Sequence, residues 1–169
     1  MDFQIEKLET LQFIGFEKEI SFDQPYKDIP LFWDQFIDQH LKTLREQGVA
    51  KSDIDQAIID HMIGEFAVIR YDHNELGTFS YMIAGLFKGG IVPKGLKLIT
   101  LNESKWAKFK AIGKLPDALQ TLNTNVFQTW LPNQQTYEMS MPVNLEWYML
   151  GDGQSEEYES GIWIPIKEK

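Results

Sequence analysis

A glutamate set among large apolar residues is the position in this chain best suited to chemistry. Glu146 lies in Leu145-Glu146-Trp147-Tyr148. In an extended strand successive side chains alternate faces, so Glu146 and Tyr148 share one face while Leu145 and Trp147 share the other. With Leu145 and Trp147 packed beneath helices, Glu146 and Tyr148 would point into a groove. A carboxylate there is costly to desolvate without a partner, which suits it to meeting a cation or moving a proton. The same carboxylate on a wet sheet face, or paired with a lysine, is ordinary surface. As a general acid or base, Glu146 would act on a bound water, with Tyr148 or Tyr81 polarising the leaving group.

Aromatic side chains are the second resource: 11 Phe, 6 Tyr and 5 Trp in 169 residues. Trp33, Phe79, Tyr81, Trp106 and Trp163 are candidates to line a ligand site alongside Glu146 and Tyr148. Ring faces attract delocalised cations by about 0.5–2 kcal/mol per contact. Trp130 falls on a helical apolar stripe and belongs to a core. Trp106 and Lys108 alternate with Ala107 and Phe109, which makes the latter pair the core face of their strand. Tyr137 comes after the second helix and is a candidate lid. The acidic run Glu156-Glu157-Tyr158-Glu159 is a solvated turn.

Several chemistries are excluded by what is missing. With no cysteine there is no disulfide framework, thiolate nucleophile or Cys-ligated metal. His40, His61 and His73 show no metal-ligand spacing, and no nucleotide-binding glycine fingerprint or G-x-S-x-G elbow occurs. No cofactor and no metal are expected. A net charge of −9 disfavours nucleic acid, whose affinity comes from Lys and Arg. The N-terminus has no signal-peptide pattern and no apolar run is long enough to span a membrane, so a soluble cytoplasmic protein is expected.

The elements that must position these residues are read from periodicity. Phe3 to Ser21 is a long or bent strand broken at Glu9-Thr10 and Gly15. Pro30 opens a helix with the stripe Trp33, Phe36, Ile37, Leu41 and Leu44, stopped at Gly48. Ser52 and Asp55 cap a short helix to about Asp60. Glu65–Tyr71 and Thr78–Phe87 form a hairpin around Asp72-His73-Asn74. After a Gly/Pro-rich seam at residues 89–95 the order recurs. A strand from Leu96 to Ile112, with an interruption at Asn102-Glu103-Ser104, precedes a helix opened by Leu115-Pro116. That helix carries the stripe Leu115, Leu119, Leu122, Val126 and Trp130. Two further strands lie in Asn144–Leu150 and Ile162–Ile166. Each half is strand, helix, strand, strand. The expectation is an α+β fold in which two half-repeats, about 3–88 and 96–167, pair about a pseudo-two-fold axis as a single domain of 1–169. An antiparallel sheet would carry helices on one face and leave a groove where the halves meet.

The C-terminal half carries, in order, Glu103-Ser104-Lys105-Trp106-Ala107-Lys108-Phe109, Gly113-Lys114-Leu115-Pro116, Thr129-Trp130-Leu131-Pro132, Leu145-Glu146-Trp147-Tyr148 and Ile162-Trp163-Ile164-Pro165-Ile166-Lys167. The N-terminal half adds Ile29-Pro30-Leu31-Phe32-Trp33 and Phe79-Ser80-Tyr81-Met82-Ile83-Ala84-Gly85. Together these resemble the GyrI-like small-molecule-binding family, also met as the effector-binding domain of AraC-type and MerR-type multidrug-responsive regulators. The resemblance runs from about Phe3 to Lys167. It implies a tandem strand–helix–strand–strand fold with a hydrophobic groove, in which a glutamate after the second helix, here Glu146, meets cationic aromatic ligands. Regulators of the family carry a helix-turn-helix segment before this domain; this acidic chain starts at the first strand and resembles the stand-alone form. The resemblance also implies two alternatives: a hydrolase opening strained electrophiles such as cyclopropane-bearing alkylators, and a gyrase-modulating protein. The leading expectation is binding of amphipathic, often cationic small molecules, with no direct nucleic-acid or membrane partner.

Overall fold

The computed structural model describes residues 1–72 and 77–169. The anticipated turn at Asp72-His73-Asn74 lies outside the described residues from His73 onward. The fold is α+β, and the chain forms two compact units, residues 12–100 and residues 1–11 with 101–169. The first strand, β1 (Phe3–Leu8), belongs to the second of these units. Among the described residues no helix is long and apolar enough to cross a membrane.

In the unit of residues 12–100, β2 (Leu11–Ser21) pairs antiparallel with β4 (Thr78–Leu86), which also pairs with β3 (Phe66–Arg70). On the far side of β2 lies β5 (Lys97–Leu101). Between β2 and β3 the chain is helical. α1 (Pro25–Phe36) continues through a π-helical turn (Ile37–Leu41) into α2 (Lys42–Gln47). Proline at the first helical positions loses no intrahelical bond, so the helix starts at Pro25 and carries Pro30 inside it, not at its start. The wider π turn advances the chain by an extra residue and rotates the succeeding residues by about 100°. Phe36 is buried while Ile37, next on the expected stripe and about 100° further round the helix, is exposed. Gly48, at φ 74°, ends α2 in the left-handed conformation that glycine adopts without strain. Ser52 then caps α3 (Asp53–Asp60) as its spacing predicts, its Oγ accepting the Asp55 N–H at 3.0 Å. The end of α3 passes close to β4 because Gly85 leaves room: a Cβ there would lie 1.8 Å from the His61 carbonyl oxygen.

In the other unit, β1 pairs with β6 (Ser104–Ile112), β6 with β9 (Glu159–Glu168), and β9 with both β8 (Val143–Tyr148) and the short β7 (Tyr137–Met139). α4 (Asp117–Asn125), extended by a π-helical turn (Val126–Trp130), packs on β6 and β9. Its stripe works as read: Leu119, Leu122 and Val126 are buried against Ala107, Phe109, Ala111, Ile162, Ile164 and Ile166. Leu115, Trp130 and Tyr137 pack at the margin of that cluster. The strand–helix–strand–strand order is thus present in each unit. The break at Glu9-Thr10 separates strands of different units, whereas Gly15 stays within β2, where a Cβ would lie 2.0 Å from the Ile83 carbonyl oxygen. Residues 96–112 likewise divide into β5 and β6.

Candidate functional site

Register decides which face each candidate occupies. Directly opposed residues of an antiparallel pair point the same way. Glu146 opposes Ile162 and Tyr148 opposes Ser160, and the buried Ile162 belongs to the α4-covered cluster. Glu146 and Tyr148 therefore lie on the helix side of their sheet, and Leu145, opposite Trp163, lies on the other. This corrects the expectation that Leu145 and Trp147 pack beneath a helix. The covered face is set by the isoleucine row of β9 and by Ala107, Phe109 and Ala111 of β6, whose pattern outweighs that of β8. Glu146 and Tyr148 are both half-buried, and the Tyr148 hydroxyl donates to Glu146 Oε1 at 3.1 Å. Tyr148 also packs its ring against the cluster, so the carboxylate is held beside an aromatic surface.

Trp106 and Trp163 are on the opposite face. Trp106, Lys108 and Trp163 form a row there, with Lys108 opposite Trp163. Lys108 Nζ sits 3.9 Å from the Trp163 ring centroid and 2.8 Å from Glu6. A resident lysine thus occupies the ring face that would attract a ligand cation, and Trp106 is fully buried. The sheet itself separates these two tryptophans from Glu146.

A third group forms in the unit of residues 12–100. Trp33 Nε1 donates to the Tyr81 hydroxyl at 2.8 Å. Phe79 and Tyr81 alternate on the same face of β4, and both are buried. Phe32 lies edge-on to Tyr81, and Phe16 packs against Phe36 and stacks on His40. Burial holds the His40 imidazole below its ordinary value, opposed by the negative charge of Asp55. The Asp55 carboxyl is held low chiefly by the Lys51 N–H, with help from Gln47 and Ser52. Lys18 Nζ stands 5.8 Å from the Phe32 ring centroid. This cluster therefore already carries a cation of its own.

Two further residues escape sequence reading. Tyr158, inside the acidic run, is buried, donates to the Met149 carbonyl at 2.6 Å, and has its hydroxyl pKa pushed up by burial. Ser160 is fully buried, and its Oγ has no hydrogen-bond partner among the described residues. A serine in line with Ile162, Ile164 and Ile166 at a spacing of two was the available signal, since it breaks an otherwise aliphatic face.

A family model for integron-associated effector binding proteins, Cass2, matches residues 4–166. Among solved structures, SAV2435 bound to tetraphenylphosphonium is similar, with 25% identity, a TM-score of 0.77, and coverage of 99% of this chain and 94% of that one. A Staphylococcus aureus MU50 protein described as a bacterial transcription regulator shows 26% identity, a TM-score of 0.73 and 99% coverage of both chains. The Vibrio cholerae integron cassette protein shares the fold at 12% identity, with a TM-score of 0.65, covering 98% of this chain and 95% of that one. Among curated proteins no match is found.

Proposed function

We propose that this chain, which belongs to the Cass2 family of integron-associated effector binding proteins and has the GyrI-like effector-binding fold, binds amphipathic aromatic cations through Glu146 and Tyr148. The observation that carries this reading is the half-buried carboxylate held at 3.1 Å by a tyrosine whose ring packs on an apolar cluster. Such a group offers charge and a hydrophobic wall together. A diffuse cation loses little hydration on entering it, and a partly desolvated carboxylate attracts it more strongly than an exposed one. The similarity to SAV2435, whose bound ligand is tetraphenylphosphonium, supports the ligand class. Trp33, Phe79 and Tyr81, within the unit of residues 12–100, are proposed as a separate aromatic contact set of that unit. Trp106 and Trp163 are assigned a structural role, the first as buried core and the second as the seat of Lys108.

Titration with tetraphenylphosphonium, followed by calorimetry and tryptophan emission, tests the reading. Glu146→Gln keeps the shape and removes the charge, and is expected to weaken binding about tenfold or more, equivalent to about 1.4 kcal/mol. Unchanged affinity in that variant would overturn it. The Tyr148–Glu146 hydrogen bond also fits an acid–base pair acting on water. Incubation with a cyclopropane-bearing alkylator distinguishes this second reading: turnover lost in Glu146→Gln supports a hydrolase, and binding without turnover rejects it.

A further inference from the structure

The buried part of the helix-side face of β9 contains one polar residue. Ile162, Ile164 and Ile166 are buried in the cluster beneath α4, and the next residue on that face is Ser160. It stands between Ala111 of β6 and Tyr148 of β8, each directly opposite it in its ladder. It has no exposed surface, and its hydroxyl has no hydrogen-bond partner among the described residues. A buried hydroxyl left unpaired is destabilising, and an alanine like its neighbour Ala111 would fill the position without that penalty. Native proteins leave few such groups, and those that persist often mark a site.

We propose that Ser160 is a ligand-recognition residue of the Glu146–Tyr148 site, one that selects cations carrying a hydrogen-bonding group over cations that have none. This rests on the reading of Glu146 and Tyr148 as a cation site and deepens it. The route to Ser160 is through Tyr148, its cross-strand neighbour, which is half-buried and reaches to Glu146. At 3.1 Å the Tyr148–Glu146 bond is long for a hydroxyl on a carboxylate, where about 2.5–2.7 Å is usual. A cation at the carboxylate competes with the tyrosine hydroxyl for it, and in this proposal a shift of the Tyr148 side chain, directly opposite Ser160, gives the ligand access to the serine. The serine hydroxyl both donates and accepts, so an ester carbonyl or an amine N–H of the ligand can satisfy it.

Two probes separate this inference from the reading beneath it. Tetraphenylphosphonium has no hydrogen-bonding group; rhodamine 6G has amine N–H groups and an ester carbonyl. For wild type both should bind, and Glu146→Gln should weaken both. Ser160→Ala should weaken rhodamine 6G about three- to tenfold, the range of one hydrogen bond, and leave tetraphenylphosphonium unchanged. Without ligand, Ser160→Ala should melt at the same temperature or higher, because it removes an unpaired buried hydroxyl. If Ser160→Ala binds both cations as wild type does, or weakens both equally, the selectivity role is overturned while the Glu146 reading stands. A clear fall in its melting temperature would overturn the role too, by revealing a structural partner for the hydroxyl. If wild type binds neither cation, or Glu146→Gln binds both as tightly as wild type, the underlying reading fails first.

Discussion

The two units have the same order of elements and fill the helix side of their sheets differently. Under α4 the buried filling is mainly aliphatic, Leu119, Leu122, Val126, Ile162, Ile164 and Ile166 around one buried ring, Phe109, which meets Trp130 edge-on; Ser160 is its buried polar residue, and Glu146 and Tyr148 are half-buried beside it. Under α1 it is aromatic and partly polar, with Phe16, Trp33, Phe36, His40 and Tyr81 joined by ring contacts and by the indole-to-phenol hydrogen bond. Aliphatic packing is indifferent to pH and tolerates little loss of volume. Aromatic and polar packing depends on direction and protonation state. One sheet-and-helix plan therefore carries a mainly aliphatic filling in one unit and, in the other, a ring cluster that includes a titratable imidazole.

The sharpest way to break this comparison is to remove volume. Ile164→Ala, in the aliphatic cluster, is expected to cost about 2–5 kcal/mol in urea denaturation, the range for a large-to-small change in a close-packed core. Tyr81→Phe keeps the ring and deletes its hydroxyl. It should cost about 0.5–1.5 kcal/mol, the net value of one hydrogen bond, and shift Trp33 emission as the indole loses its partner. If Tyr81→Phe proves as damaging as Ile164→Ala, the distinction between the two fillings collapses.

The smallest effect is in pH. His40 is held below its ordinary value of 6.5 by burial, so the folded protein takes up its proton less readily than the unfolded chain. Stability is unaffected well above pH 6.5 and falls as pH drops through that value toward the folded pKa. Asp55, held below 3.8, contributes stability that is present above its ordinary value and lost at still lower pH. Both act in the direction of acid weakening the α1 unit, in two separate windows. Urea melts between about pH 7.5 and 5.5 should show a modest decline that His40→Phe removes, while the step near about pH 4 remains until Asp55→Asn is added. A decline that persists in His40→Phe would place its origin elsewhere.

Local chemistry made much of this legible. The stop at Gly48, the Ser52 cap, the α4 stripe and the pairing of Glu146 with Tyr148 on one face all depend on residues within a few positions of each other. Where the reading of the site departed from the structure, the cause was distant. β8 by itself, with Leu145 and Trp147 on one face and Glu146 and Tyr148 on the other, gives no sign of which face a helix will cover. Trp163 looks available to a ligand until Lys108, from a neighbouring strand, is laid over it.

The sequence by itself determined the family, the strand–helix–strand–strand order and the carboxylate–tyrosine couple, because alternation, capping and helical stripes are short-range consequences of backbone geometry. Tertiary structure alone decided that β1 and β2 serve different units, that Glu146 lies on the α4 side, and that the Ser160 hydroxyl is buried with no partner among the described residues. Those outcomes depend on which strands pair and in what register. A strand's alternation is fixed by its own residues, but the side that becomes buried is chosen by the neighbours it meets.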